Sequence, residues 1–269
     1  FIREDRKMNP EIEAIFLDVG NTLRILTPNE DHQARARRRI VELLGTHEDP
    51  DSFIQKVDER YKVYRKWAFA NLKEAPESEL WTRWLAPEFP AEKVALLGLE
   101  LTYQYRQSMG LRVMVENGSE VVAELHRRGY TLGLISNVIT SREIPDWLEA
   151  DNLAGYFKSV VLSSVMGVRK PDPEIYYEAA RRAETEPAKC VYVGDNLQRD
   201  VTGTRNAGFG MVVIMISPED LAQESVTEEN KPDAVIDEFS ELLQLFPKVP
   251  QVCMEKIRTV ELSTSSGLE

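Results

Sequence analysis

Six short runs of apolar residues, separated by segments with helical periodicity, constrain the fold of this chain more than any other feature. The runs are residues 12–17, 130–135, 160–162, 190–193, 211–216 and 234–236. Apolar residues are nearly consecutive in each run rather than alternating, which is typical of strands covered on both faces. The segments 119–128, 173–183 and 197–207 carry apolar residues at helical spacing. Strands that alternate with helices predict an α/β fold with a doubly wound parallel sheet.

The segment between the first two apolar runs has a different pattern, because residues 28–111 show helical periodicity and no convincing strand. Gly45, Pro50, Pro76 and Pro87 divide it into separate helices. The predicted helices cover residues 31–44, 50–71, 78–85 and 91–108. We therefore predict an all-helical cap domain at residues 28–111, inserted into a discontinuous core domain made of residues 9–27 and 112–248, with flexible tails at residues 1–8 and 250–269.

Charge and hydropathy argue against several classes of partner. The chain has 33 Lys and Arg against 45 Asp and Glu, a net charge of −12, whereas nucleic-acid binding requires a basic face. The longest apolar stretch, residues 211–216, is far shorter than the roughly 20 residues of a membrane helix, so no membrane partner is expected. Two cysteines, Cys190 and Cys253, are too few for a disulfide framework and suit a reducing, cytoplasmic environment. The sequence leaves a monomer and a homodimer equally open.

Carboxylates stand at the ends of two predicted strands. Asp18 follows the first run, Asp195 closes the run at residues 190–193, and a third acid, Asp200, lies near the start of the next helix. The carboxyl ends of strands in such a sheet border the ligand crevice, where three carboxylates would repel one another unless a cation neutralised them. Oxygen ligands with few side chains suit Mg²⁺. A lone aspartate would more simply be a helix cap or turn residue, but the set of three favours a metal site.

Two further loop positions are candidates for binding an anion. Ser136 and Asn137 follow the run at residues 130–135, where a hydroxyl and backbone amides are available to a phosphate oxygen; a helix cap is an equally good interpretation. Lys170 lies in a loop after the third run and could pair with both an anionic substrate and an attacking carboxylate. Most loop lysines are merely solvated, so Lys170 taken alone indicates little.

Four segments, in this order, resemble the motifs of the haloacid dehalogenase superfamily. Residues 16–23 (FLDVGNTL) resemble the first motif, usually Asp-x-Asp-x-Thr, and residues 134–137 (LISN) the second. Residues 167–173 (GVRKPDP) resemble the third motif and residues 193–200 (VGDNLQRD) the fourth. The resemblance covers roughly residues 12–246. The helical insert resembles the C1-type cap of subfamily I, which lies between the first and second motifs, on a Rossmann-like core.

The resemblance implies a Mg²⁺-dependent phosphohydrolase acting on a small phosphorylated metabolite. Asp18 would attack phosphorus and form an aspartyl-phosphate, and cations would match the developing charge. The implied catalytic residues are Asp18, Thr22, Ser136, Asn137 and Lys170. The implied substrate-binding residues are Gly20, Asn21, Ser136, Asn137 and Lys170, and the implied Mg²⁺ ligands are Asp18, the carbonyl of Gly20, Asp195 and Asp200.

The first motif departs from the family's phosphatases at Gly20, where those enzymes usually have an acid. A glycine carbonyl can still bind a metal, but glycine cannot protonate a leaving group or activate water. General acid–base catalysis is worth roughly 10²–10⁴-fold, or about 3–5 kcal/mol. We therefore predict a preference for substrates with good leaving groups, such as acyl or aryl phosphates.

Three alternatives stay open at this point. A regulatory protein or pseudoenzyme that binds phosphate without efficient turnover would also lack the acid. A 2-haloacid dehalogenase uses the same aspartate on a carbon–halogen bond and needs no metal, but Asp195 and Asp200 argue against that branch. A phosphonatase-like hydrolase has a small residue in place of the acid and uses a cap lysine as an imine partner. The cap contains Lys62, Lys66 and Lys73, and nothing in the sequence singles one of them out.

Overall fold

The computed structural model of the chain describes residues 12–248. The predicted tails at residues 1–8 and 250–269, the first residues of the predicted core domain (9–11) and Cys253 lie outside the described residues. The strands are β1 (Ala14–Leu17), β2 (Arg24–Thr27), β3 (Leu111–Met114), β4 (Thr131–Ser136), β5 (Phe157–Leu162), β6 (Cys190–Gly194), β7 (Met211–Met215) and β8 (Ala234–Ile236).

The helices are α1 (Glu30–Leu44), α2 (Pro50–Asn71), α3 (Glu77–Glu79), α4 (Ala91–Ser108), α5 (Gly118–Arg127), α6 (Glu143–Ala150), α7 (Ser163–Met166), α8 (Pro173–Ala183), α9 (Leu197–Asn206), α10 (Pro218–Leu221) and α11 (Leu242–Leu245). A π-helix at Leu80–Leu85 follows α3, and short 3₁₀ turns lie at Ala154–Tyr156, Pro187–Lys189 and Phe239–Glu241. Within residues 12–248, no helix has the combination of length and apolarity needed to cross a lipid bilayer.

One parallel sheet contains the strand predicted from each of the six apolar runs. Its order is β5-β4-β1-β6-β7-β8, and every neighbouring pair is parallel. The chain moves outward from β1 through β4 to β5, then returns to the other side of β1 with β6. This reversal places the ligand crevice at the carboxyl end of the central strand β1. The predicted doubly wound, Rossmann-like α/β fold is confirmed.

Both faces of the sheet are covered by helices, and β1 shows why its apolar residues are consecutive. Ile15 and Leu17 pack in the core cluster that includes residues of α5 and α6. Ala14 and Phe16 pack on the opposite face against α8. All four side chains are completely buried. Because successive strand residues point to opposite faces, a strand buried on both sides requires an unbroken apolar run.

The segment between β2 and β3 is a helical cap region with its own apolar core. Helices α2 and α4 have the predicted bounds, and α1 begins one residue earlier than predicted. Asp49 caps α2 by accepting from the backbone N–H of Ser52, directly before Pro50, and Gly45 ends α1 at a left-handed φ of 72°. The helix predicted at residues 78–85 is one α-helical turn followed by the π-helix. The domain boundaries at residues 28 and 111 stay a prediction.

The two connections between the cap helices and the sheet pair with each other as antiparallel strands, which the sequence did not indicate. Thr27 of β2 lies opposite Leu111 of β3. Each strand has only four residues and neither is an apolar run, so no local pattern marks them. Arg24 stabilises the pair, because it donates to the carbonyl of Arg112 at 2.7 Å and forms an ion pair with Asp151. Both connections therefore leave the core as a single ribbon.

Candidate active site

Three carboxylates meet at the carboxyl-terminal edge of the parallel sheet. Asp18 directly follows β1, Asp195 directly follows the neighbouring strand β6, and Asp200 lies in the first turn of α9. One oxygen from each carboxylate lies within 4.8 Å of the others. Asp18 and Asp200 are buried and Asp195 is partly buried. The structure thus brings together the acids whose convergence was predicted, and it presents oxygen donors of the kind that Mg²⁺ prefers.

Backbone hydrogen bonds fix the carboxylate of Asp18. The backbone N–H of Asp18 donates to the carbonyl of Val193 at 2.8 Å, which continues the pairing of β1 with β6. Its Oδ1 accepts from the N–H of Val19 at 2.7 Å. Its Oδ2 lies 2.7 Å from Lys170 Nζ and 2.9 Å from Arg199 Nη2. One oxygen is therefore held by the backbone while the other faces the cations of the site.

Lys170 reaches the carboxylates from the protein interior. It lies in the loop between α7 and α8, and its side chain is completely buried. Its Nζ lies 2.7 Å from Asp18 Oδ2 and 3.6 Å from Asp200 Oδ1, and it also donates to the hydroxyl of Tyr192. A buried lysine is stable only when it has such partners. Lys170 is therefore built into the site and is not a solvated loop lysine.

The turn after Asp18 places three of the predicted residues. Asn21 adopts a left-handed φ of 55°, which asparagine tolerates better than most residues, and its Nδ2 donates to Asp195 Oδ2 at 3.0 Å. Thr22 Oγ1 is buried and has no hydrogen-bond partner among the described residues, so it is available to a ligand oxygen. Gly20 is exposed, and a Cβ added there would have no atom within 4 Å. Space alone does not explain the missing acid.

Ser136 and Asn137 lie at the end of β4, beside Asp18, but their side chains differ in availability. Ser136 is buried at the edge of the site. Asn137 Oδ1 accepts from the N–H of Lys170 at 2.8 Å, and its Nδ2 donates to the carbonyl of Lys170 at 3.0 Å. Both polar ends of this amide are already bonded. The side chain of Asn137 thus holds the backbone of Lys170, and its catalytic and substrate-binding role stays a prediction.

Two residues in contact with the predicted set were not identified from the sequence. Tyr192 lies on β6, and its hydroxyl contacts Lys170 Nζ and the carbonyl of Ile135. Arg199 immediately precedes Asp200 and contacts all three acids. A hydroxyl inside an otherwise apolar strand was the available signal for Tyr192. For Arg199 the only signal was its position between Asp195 and Asp200. The sequence does not distinguish it from an arginine on an ordinary helix surface.

Burial and neighbouring charges act in opposite directions on the two buried acids. Burial raises the pKa of Asp18, and the cations of Lys170 and Arg199 oppose that rise. Burial also acts to raise the pKa of Asp200, but Lys170 and Arg199 outweigh it and lower the pKa of this carboxyl. Burial therefore outweighs the cations at Asp18, and the cations outweigh burial at Asp200.

The cap region contacts the core directly beside Lys170. Residue Glu74, in the loop after α2, donates its N–H to the carbonyl of Gly167 at 3.1 Å. Its side chain is completely buried and forms an ion pair with Arg169. The same carboxylate accepts from the hydroxyl of Tyr64 and, at 2.7 Å, from that of Ser163. A residue of the cap region thus contacts the segment that leads to Lys170.

The chain is similar in sequence and in fold to known proteins. Residues 95–214 match the sequence model of the family described as haloacid dehalogenase-like hydrolase. The matched range includes Ser136, Lys170, Asp195 and Asp200. The fold is similar to that of a solved 2-haloacid dehalogenase from Pseudomonas syringae pv. Tomato, with a TM-score of 0.63 and 20% sequence identity. That likeness covers 87% of this chain and 97% of the solved chain.

Several similar proteins are named as phosphatases. The chain is 30% identical over 159 residues to the glyceraldehyde 3-phosphate phosphatase of Methanothermobacter thermautotrophicus. The aligned residues cover 58% of this chain and 69% of that relative. It is 25% identical over 248 residues to the enzyme of the same name from Pyrococcus furiosus. Here the aligned residues cover 88% of this chain and 94% of the relative. The second similarity extends over the cap region as well as the sheet.

Proposed function

Because this chain belongs to the haloacid dehalogenase-like hydrolase family, we propose that it is a phosphohydrolase that uses Asp18 as its nucleophile. One observation carries the proposal: Asp18 Oδ2 lies 2.7 Å from a buried lysine, within a cluster of three carboxylates at the end of the central strand. The names of the two archaeal relatives support a small phosphorylated metabolite as the substrate.

Asp18 is oriented for attack by its own backbone surroundings. Oδ1 is held by the N–H of Val19, so Oδ2 is the atom that bonds to phosphorus. In the first step the Oδ2–P bond forms while the bond from phosphorus to the leaving-group oxygen breaks, and the leaving group departs as an oxyanion that takes its proton from water. In the second step water attacks phosphorus, the Asp18–phosphate bond breaks, and inorganic phosphate leaves.

Three side chains surround the position of the transferring group. Thr22 Oγ1 donates a hydrogen bond to a phosphoryl oxygen, which would satisfy a buried atom that otherwise has no partner. Ser136, at the end of β4, provides a second hydroxyl. Lys170 neutralises charge on both Asp18 and the phosphoryl oxygens, and Asn137 and Tyr192 hold it in place. Positioning and charge matching then supply most of the rate acceleration.

The donor set fits a magnesium ion. Asp18, Asp195 and Asp200 offer carboxylate oxygens within 4.8 Å of one another, and the carbonyl of Gly20 would be the remaining protein ligand. Mg²⁺ prefers such oxygen donors and keeps several waters. When bound, the ion would add positive charge beside the transferring phosphoryl group. The fold holds the three acids together at one edge of the sheet. Their mutual repulsion would be relieved by the bound cation.

The absence of an acid at Gly20 restricts the substrate. No side chain at this position can protonate the leaving group, so hydrolysis should become slower as the pKa of the leaving group rises. The site has space for an acid, since a Cβ on Gly20 would meet nothing within 4 Å. We propose that acyl or aryl phosphates are cleaved better than alkyl phosphates by roughly the 10²–10⁴-fold that general acid catalysis contributes.

Hydrolysis of an aryl phosphate series tests both parts of the proposal. We expect turnover that requires Mg²⁺, stops in chelator and is lost in Asp18→Asn. We also expect Gly20→Asp, but not the matched control Gly20→Asn, to flatten the dependence on leaving-group pKa. Phosphate binding without turnover would instead favour a phosphate-binding regulatory protein. Chloride release from a haloacid in chelator would favour a dehalogenase.

A further inference from the structure

The guanidinium of Arg199 occupies the space among the three carboxylates. Its Nη2 lies 2.9 Å from Asp18 Oδ2, 2.9 Å from Asp195 Oδ1 and 2.8 Å from Asp200 Oδ2. Its Nε donates to Asp200 Oδ1 at 2.7 Å. A single nitrogen of Arg199 therefore contacts every acid of the cluster.

That nitrogen contacts the same three acids that the proposed Mg²⁺ site would use. The three carboxylate oxygens lie within 4.8 Å of one another, and Mg²⁺ binds oxygen at about 2.0–2.1 Å. An ion bound to the same three oxygens would overlap with Nη2 of Arg199. Only one of the two cations can therefore contact all three acids at a time. The guanidinium and the metal therefore exclude each other.

The direction of approach distinguishes Arg199 from Lys170. The side chain of Lys170 comes from the protein interior and is completely buried, whereas that of Arg199 is 23% exposed. The backbone N–H of Arg199 is bonded to Asn196 Oδ1 at 2.7 Å, within the first turn of α9. Its side chain therefore reaches the cluster from the side that faces solvent, while its backbone is held in the helix. Lys170 enters the same cluster from the protein interior.

We propose that Arg199 is a built-in countercation that holds the three carboxylates together without metal and competes with Mg²⁺ for them. This inference rests on the proposed function, since it takes the same acids as the metal ligands. Arg199 also contacts Asp18, the proposed nucleophile, so the exchange changes the cation beside the atom that attacks phosphorus. The Mg²⁺ concentration at which the enzyme becomes active is then set by how strongly Arg199 holds the site.

Titration calorimetry of Mg²⁺ into chelator-treated, dialysed protein tests the exchange. The variants are Arg199→Gln and the matched control Arg205→Gln, since Arg205 lies on the same helix but pairs with Asp233 at 2.8 Å. Arg199→Gln should bind Mg²⁺ at least about tenfold more tightly than wild type, because a charge-assisted competitor is gone. Arg205→Gln should stay within about twofold, since the charge of Arg205 is paired with Asp233 instead of the three acids.

A second readout follows stability. Without metal, Arg199→Gln should unfold at a lower temperature than wild type, because three carboxylates lose a cation, and Mg²⁺ should raise its midpoint more than it raises that of wild type. If wild type binds Mg²⁺ and Arg199→Gln binds it equally or more weakly, the exchange is overturned. The proposed function is then left intact. Absence of Mg²⁺ binding in every variant would overturn both.

If Arg199→Gln does not fold, Arg199→Lys replaces it. A lysine keeps the charge but lacks the planar fork that reaches several carboxylates at once. Mg²⁺ should then bind more tightly than in wild type, by a smaller factor than that expected for glutamine. Equal or weaker binding in Arg199→Lys would overturn the proposal.

Discussion

The side-chain amide of Asn137 bonds to both backbone polar groups of Lys170: Oδ1 accepts from its N–H at 2.8 Å and Nδ2 donates to its carbonyl at 3.0 Å. Asn137 follows β4, while Lys170 lies in the loop before α8. The amide therefore joins the loop after β4 to the loop before α8. It fixes the position of the lysine backbone relative to the end of β4. The ammonium is then held by Asp18 and Tyr192. Lys170 is thus positioned at its backbone and at its tip by different residues.

We expect Asn137→Ala to lower kcat about tenfold to a hundredfold, because an ångström of misplacement of Lys170 is enough to do so. Two hydrogen bonds to buried backbone groups are also lost, at roughly 1–3 kcal/mol for each unsatisfied group. Steady-state kinetics and thermal unfolding measure the two effects. The control is Asn71→Ala, which removes an exposed amide at the end of α2. A wild-type kcat in Asn137→Ala would contradict the positioning role.

Gly194→Ala should disrupt the carboxylate cluster. A Cβ at this position would lie 2.3 Å from Asp200 Oδ2 and 2.8 Å from its Cγ, so Asp200 would have to move. We expect Mg²⁺ affinity to fall by about 10–100-fold, as it does when the surroundings of metal ligands are altered. Gly155→Ala is the control, since a Cβ there would meet nothing within 4 Å. Equal Mg²⁺ affinity in the two variants would argue against Asp200 as a ligand.

Glu74→Ala should destabilise the contact between the cap region and the core. Its carboxylate is completely buried and pairs with Arg169, which would be left as an unpaired buried charge. Such a loss costs about 3–5 kcal/mol, or roughly 6–20 °C in the unfolding midpoint for a chain of this size. Glu59→Ala, which removes an exposed partner of Lys62, should change the midpoint little. Similar midpoints for both variants would contradict the assignment.

Cys190 should resist alkylation in the native protein. Burial, with a smaller effect from Glu13, raises the pKa of its thiol to about 12, so almost no thiolate exists at pH 8. The variant Cys253→Ser leaves Cys190 as the only thiol, and a chromogenic disulfide reagent counts it. We expect labelling at pH 8 only after denaturation; rapid labelling of native protein would contradict the burial.

The same thiol makes a pH-dependent contribution to stability. In the unfolded chain it ionises near pH 8.5–9, whereas in the folded protein it stays protonated up to about pH 12. The unfolded state therefore loses a proton first as the pH rises. Stability contributed by Cys190 is complete below about pH 8.5 and is lost between there and pH 12. Cys190→Ala should show a shallower loss of the unfolding midpoint over this window.

Local sequence patterns determined the layered fold and the ends of its strands. The strand of each predicted run is present in the sheet, and α2, α4 and α8 have the bounds predicted from their periodicity and proline positions. Asp18 and Asp195 could be placed at the same edge because parallel neighbouring strands end on the same side of a sheet. These inferences succeed because burial on one or both faces imposes a periodicity that is readable within ten or twenty residues.

Tertiary structure alone decided which side chains share the cluster and which are already occupied. The pairing of β2 with β3, the ion pair of Glu74 with Arg169 and the bonds of Asn137 to Lys170 join residues far apart in the chain. Arg199 reads locally as an ordinary helix-surface arginine, yet it lies among three acids. A side chain's partners depend on where distant segments pack, and no short-range periodicity encodes that position.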